Sequence, residues 1–185
     1  MRKIRGFRVE PKESELSRRL RKKVPDLSLP EGELRRMIQE EQSRWHPALL
    51  YDSFSCAHPD HAKMAPLAPL PELPYTVSVI TLGPTRPSEE IPPNLSRLTP
   101  ILFEIALEEA ARFALRIISD EADQDQWELS PPHPLTQPQA LQILLKGLDL
   151  PRIDVNWSQE SGWTPPATSA FAVSWLRPSK SKSRP

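Results

Sequence analysis

Residues Thr99 to Asp120, TPILFEIALEEAARFALRIISD, limit the possible folds more than any other stretch. Thr99 suits a helix N-cap and Pro100 suits the first helical position. Glu104, Glu108, Arg112, Arg116 and Asp120 recur every fourth residue and form one narrow polar stripe, with Glu108 and Arg112 spaced to pair. Almost all the remaining positions are apolar: Ile101, Leu102, Phe103, Ile105, Ala106, Leu107, Ala110, Phe113, Ala114, Leu115, Ile117 and Ile118. A helix apolar over most of its circumference must be packed on several sides, which makes this one the expected centre of the core.

The elements around it follow from pattern and punctuation. Residues 1–10 read as a short arm. Pro11–Lys23 reads as a helix with Leu16 and Leu20 on one face, a face that Val24 continues before Pro25 ends it. Ser28 and Glu31 have capping-box spacing for a second helix, with Leu34, Met37, Ile38 and Trp45 on one side and Pro47 as its stop. Ala48–Phe54 is a strand candidate. Ser55–Pro74, with five prolines, reads as a loop or a pair of short turns. Tyr75–Leu82, YTVSVITL, is β-branched, aromatic and uncharged, as a central strand would be, and Gly83-Pro84 ends it with turn chemistry. Thr85–Leu98 is a proline-rich connection with a helical turn expected near Asn94–Leu98.

Beyond the long helix, Glu121–Pro134 is acidic and then proline-rich. Thr136 and Gln139 repeat the capping-box spacing ahead of Leu141, Leu144, Leu145 and Leu148, and Gly147 is placed to end that helix in a left-handed cap. Arg152–Ser158 and Thr168–Trp175 alternate as half-buried strands, the first presenting Ile153, Val155 and Trp157, the second Phe171, Val173 and Trp175. The loop Gln159–Ala167 between them is too short for a parallel crossover, so an antiparallel relation is expected. The sum is an α+β fold, an antiparallel or mixed sheet with packed helices, in one domain over residues 1–176. Residues 177–185, RPSKSKSRP, read as a disordered basic tail.

Composition narrows the setting. Proline reaches 23 of 185 residues, about 12% against a usual value near 5%, and glycine only 5, so loops should be stiff. Charge balances at 24 basic and 24 acidic residues but is segregated: Arg2–Lys23 holds ten Lys or Arg against three Glu, whereas residues 104–128 hold eight Asp or Glu against two Arg. Such asymmetry fits a polyanion-binding arm or, more plainly, a basic helix face in solvent, and nucleic acid ranks last among the partners considered. Cys56 is the only cysteine, no apolar run approaches the roughly 18 residues of a membrane helix, and the N-terminal MRKIRGFRVEP lacks an apolar signal core. A soluble cytoplasmic protein that engages no membrane is the expectation.

Glycine-rich phosphate loops and a G-x-S-x-G elbow are absent. Cys56-Ala57-His58-Pro59-Asp60-His61 gathers three ligand types within six residues, but its spacing is not a common finger spacing and no second cysteine closes a tetrahedral site. The acidic run Asp120, Glu121, Asp123, Asp125 and Glu128 reads as the solvated exit of the long helix.

Four passages resemble one known family. IRGFRVEPKESELSRRL is similar to its opening segment and first helix, and VSVITLGP to its central strand and Gly-Pro turn. FEIALEEAARFALRIISDEAD is similar to its alanine-rich helix, and RIDVNWSQESGWTPPATSAFAVSW to its closing strands and Thr-Pro turn. The chain resembles, from about Ile4 to Trp175, the activation domain of vitamin B12-dependent methionine synthase in a short stand-alone form.

The resemblance implies a domain that binds S-adenosylmethionine in a groove on its sheet. It also implies docking on a cobalamin-carrying (corrinoid) module, so that the cobalamin can be reductively remethylated in methionine synthesis. Cobalamin would then come only through a partner protein, and any enzyme activity would be part of that methyltransferase system. The family's R-x-[SA]-P-G-Y motif corresponds to Glu128–His133. Ser130 and Pro131 match it, whereas Glu128 replaces the arginine, Pro132 the glycine and His133 the tyrosine. An acid cannot replace a guanidinium fork facing a ligand carboxylate, and a proline removes an N–H where the backbone would approach. Thr164 and Pro165 match the closing turn. By this resemblance the cofactor-binding residues are Ser130, Pro131, His133, Thr164 and Pro165, on a motif that is degraded. The alternative is a binding or scaffold module that kept the fold and lost the cofactor site.

Overall fold

The uncharged stretch at Tyr75 is where the sheet is assembled, and in the computed structural model all seven residues of Tyr75–Thr81 are buried. The structure describes residues 1–26, 32–85 and 96–177. The first half runs Arg2–Arg5 (β1), Glu13–Lys23 (α1), Glu33–Gln42 (α2), Ala48–Phe54 (β2), His61–Met64 (α3) with a 3-10 turn at Ala65–Leu67, and Tyr75–Thr81 (β3). The second runs Thr99–Gln124 (α4), Glu128–Leu129 (β4), His133–Pro134 (β5), Pro138–Gly147 (α5), a 3-10 turn at Leu150–Ile153, Asn156–Ser158 (β6), Gly162–Thr164 (β7) and Thr168–Leu176 (β8).

The main sheet has the order β1-β2-β3-β8-β4, with β5 also on β8, and every pairing is antiparallel. The fold is therefore α+β around an antiparallel sheet. Side-chain alternation divides the core in two. Leu49, Tyr51, Ile80, Phe171 and Val173 face α1, α2 and α4. Leu50, Phe54, Tyr75, Val77, Val79, Ala170 and Ala172 face α3, α5 and the β6–β7 hairpin. A strand covered on both faces has no use for charge, which is why β3 carries none.

α4 lies on the first face through Ala106, Ala110, Ala114, Ile118 and Ala122, all fully buried at every fourth position. Four small side chains in that row let the helix approach the sheet closely. Leu107, Phe113, Leu115 and Ile117 are only partly buried, so the helix is enclosed less completely than its composition implies. Phe113 stacks on Phe7 at 4.3 Å and Phe103 meets Trp45 edge-on at 6.4 Å. The Glu108–Arg112 pair does not form. Arg112 holds Glu109, and Glu108 accepts a bidentate fork from Arg19 of α1 at 2.7 and 2.8 Å. Contact between the two helices supplies a better partner than the helix's own next turn.

Several expectations are corrected. Residues 2–5 of the expected arm are a strand, paired with β2 from Arg2↔Tyr51 to Arg5↔Ala48. Ser55–Pro74 holds a short helix and a 3-10 turn, and Glu121–Pro134 holds the end of α4 and two strands. Arg152 and Ile153 of the expected strand Arg152–Ser158 belong to the 3-10 turn at Leu150–Ile153, which is followed by Asp154 at φ 56°. The expected loop Gln159–Ala167 contains β7, which pairs β6 in its own two-stranded hairpin. Gly147 is helical rather than left-handed. Its missing side chain makes room for Met64, whose Sδ would lie 1.9 Å from a Cβ there. Gly83 does take φ +86°, passing close to the backbone of His46. The capping box at Ser28 and Glu31, Asn94 and Leu95 of the helical turn expected near Asn94–Leu98, and the tail from residue 178 lie outside the described residues.

Candidate functional site along the edge of β8

Glu128 pairs Leu176 and Leu129 pairs Trp175, whereas His133 pairs Ala172 and Pro134 pairs Phe171. The register slips by one residue between the two pairs, so Ser130–Pro132 forms a β-bulge on the outermost strand. Two consecutive prolines offer no N–H to a ladder, and an edge with a bulge is where a sheet tolerates them. Ser130 bridges the interruption. Its N–H donates to the Ser174 carbonyl at 2.9 Å, and its Oγ accepts the Ser174 N–H at 2.9 Å, in the place a backbone carbonyl would take. Its hydroxyl then donates to the Pro131 carbonyl at 3.1 Å. The Ser130 side chain is thus committed to the sheet.

Pro131, Pro132, His133 and Pro134 are exposed. His133 lies opposite Ala172 and so on the α5 face of the sheet, which Leu135 rejoins two residues later with its N–H on the Ala170 carbonyl at 2.9 Å. Thr164 ends β7 opposite Asn156, beside the cross-strand pair Trp157↔Trp163, which packs against the same core. A cis peptide bond joins Thr164 to Pro165, and the Pro165 carbonyl accepts the Thr168 hydroxyl at 2.7 Å. Ser130, Pro131 and His133 therefore form one continuous edge, and Thr164–Pro165 leads into the far end of the same strand. Ala172 and Thr168 are four residues apart, about 13 Å of strand. Both segments serve β8, laid end to end rather than in one pocket. Glu128 is exposed, and the neighbouring cation, Arg177, stands 5.6 Å from the Trp127 ring.

The other sequence candidates have local roles. Cys56 is exposed. His58 Nδ1 accepts the Asp60 N–H at 3.1 Å, its Nε2 lies 3.7 Å from Asp52, and its ring meets Phe54 edge-on. His61 lies beside Tyr75. Among the described residues no three His, Cys, Asp or Glu side chains gather as metal ligands. In the acidic run, Glu121 accepts the Tyr51 hydroxyl at 2.6 Å and is paired with Arg2. Burial, reinforced by that bond, pushes the Tyr51 phenol above its ordinary pKa. Tyr75 is pushed up to about 12 by burial alone.

The segregated charges meet one another. Arg19 joins Glu15, Glu104 and Glu108; Lys23 joins Glu104; Arg5 joins Asp154. The basic segment thus neutralises acids of α1, of α4 and of the turn at Asp154. Sequence reasoning missed Ser174, which anchors Ser130 and accepts the Leu70 N–H on its Oγ, and Thr76, which accepts the Trp175 indole N–H at 2.8 Å. The available signal was small polar residues interrupting otherwise apolar strands.

No helix among the described residues is long and apolar enough to cross a membrane. No family model matches the chain, and no curated protein matches it.

Proposed function

We propose that this protein is an accessory domain for a corrinoid-binding partner in a cobalamin-dependent methionine synthase system, working in the cytoplasm. The observation that carries the reading is the shared strand. Two segments some thirty residues apart, which the resemblance assigns to one site, both meet β8: Ser130–His133 lies on its outer edge and Thr164–Pro165 leads into its start. The exposed prolines and His133 form the face offered to the partner. The domain's task is orientation of a cofactor carried by that partner, with the protein supplying position and electrostatics rather than a reacting group. S-adenosylmethionine binding at this edge is weakened because Glu128 repels a ligand carboxylate and the Ser130 hydroxyl is already spent.

The test is capture of a purified cobalamin-loaded corrinoid module, with S-adenosylmethionine titrated to millimolar concentration against tryptophan fluorescence. Binding to the loaded module, and a tighter S-adenosylmethionine response in Glu128→Arg, are the expected results. Absence of both overturns the reading. The commitment of Ser130 to the sheet favours a second reading, a scaffold module without a cofactor. A stoichiometric complex with a partner that carries no corrinoid would establish it.

A further inference from the structure

The chain between β1 and α1 and the chain leaving α2 enclose a second site, far from the β8 edge in the strand order. A cavity of about 530 Å3 is lined by Arg5, Phe7, Arg8, Val9, Trp45 and His46, and by Glu10 and Gln42. That volume falls within the roughly 300–1,000 Å3 of small-molecule sites. The walls are fixed at both ends. The Gly6 N–H donates to the Pro47 carbonyl at 2.9 Å, and Gln42 Nε2 donates to the Val9 carbonyl at 3.1 Å. One wall is held to the sheet as well, through the His46 N–H on the Leu82 carbonyl at 2.7 Å.

The lining has two chemistries. Phe7, Val9, Trp45 and Pro47 are apolar, and the Phe7 ring is locked by its stack on Phe113. Arg5 and Arg8 bring two guanidinium groups, each with one carboxylate partner, Asp154 on Arg5 and Glu10 on Arg8. Arg5 spends only Nη2, on the Arg152 carbonyl at 2.7 Å and on Asp154 at 2.8 Å, so its Nε and Nη1 donors remain. Trp45 is 8% exposed, and its indole N–H is shut from solvent with no partner among the described residues. The N–H is closed to the cavity as well as to bulk solvent, so Trp45 offers a ligand the edge or face of its ring.

We propose that this cavity binds a small organic anion with a flat apolar body, an aromatic carboxylate or sulfonate. The ring lies against Phe7 and Trp45, and the anion is held by the guanidinium groups of Arg5 and Arg8. The proposal is independent of the corrinoid reading.

Anilinonaphthalene sulfonate and its uncharged analogue phenylnaphthylamine separate the two chemistries, titrated against the full chain by fluorescence. The sulfonate should bind one to one and raise the melting temperature, and the neutral probe should bind about tenfold more weakly, one charge-assisted contact being worth that factor. Arg8→Gln, a change at a largely exposed side chain, should weaken the sulfonate several-fold and leave the neutral probe unchanged. Equal affinity for the two probes, or an unchanged sulfonate affinity in Arg8→Gln, overturns the proposal.

Discussion

Ser78 sits in the middle of β3 with its Oγ fully buried and without a hydrogen-bond partner among the described residues. Its neighbours Val77 and Val79 point to the α5 face, so Ser78 points toward α4. The alanine row of α4 supplies no donor or acceptor there. Leaving such a hydroxyl unpaired costs about 1–3 kcal/mol. Ser78→Ala removes that cost and leaves an oxygen-sized void of roughly 15 Å3, which at about 24 cal/mol per Å3 returns about 0.4 kcal/mol. The net expectation is a gain of about 0.6–2.6 kcal/mol, equivalent to about 1–10 °C in melting temperature for a chain of this size. Urea unfolding followed by far-ultraviolet circular dichroism measures it, with the slope against denaturant unchanged. A loss of stability would refute the reasoning, because it would mean that the hydroxyl has a partner in solution. Ser174→Ala is the matched control. It removes a hydroxyl that accepts the Leu70 N–H at 3.0 Å, and it should destabilise.

Four further outcomes are expected. Ser130→Ala leaves the buried Ser174 N–H unpaired and should cost about 1–3 kcal/mol in urea unfolding, with or without ligand; no loss would return Ser130 to the role of a ligand contact. Gly147→Ala gains about 1 kcal/mol of helix propensity but drives a methyl into Met64, an overpacking cost of about 1–3 kcal/mol, so a net loss is expected that shortening Met64 in the same chain relieves. Arg19→Lys should lose nearly as much stability as Arg19→Gln, about 1 kcal/mol, because a lysine cannot reproduce the bidentate hold on Glu108; full retention in the lysine variant would contradict this. The chain has only two tyrosines, and both phenols are raised, Tyr75 to about 12. Phenolate absorbance should therefore rise at higher pH in the native protein than in the unfolded chain. Because the unfolded chain ionises first, the stability that these groups contribute is present below pH 10 and lost as pH climbs toward 12.

Where α1, β2, β3, α4, α5 and β8 lie was legible in the sequence because each carries its own period. Leu16 and Leu20 recur at helical spacing, Phe171 and Val173 at strand spacing, and the polar stripe of α4 at every fourth residue. The strand at Arg2–Arg5 was not legible. RKIR has one apolar residue and is a strand only because β2 offers it an open edge. The strand segments within Glu128–Pro134 were likewise not legible, since three prolines contradict every local strand signal. Only the free edge of β8 and the substitution of the Ser130 hydroxyl for a carbonyl make it one. The candidate site follows the same division. The sequence marks Ser130, Pro131, His133, Thr164 and Pro165 as separate short matches, and only the fold gives both groups β8 in common.

By itself, then, the sequence determined an α+β chain centred on one alanine-rich helix and one uncharged strand, because burial pattern is written in local periodicity. The tertiary structure decided partners across sequence distance: Arg19 with Glu108, Gly147 with Met64, Ser130 with Ser174, and the arm residues Arg5–Glu10 with the exit of α2 around a cavity. None of these pairs is visible locally, because each depends on the geometry by which the sheet brings distant segments together.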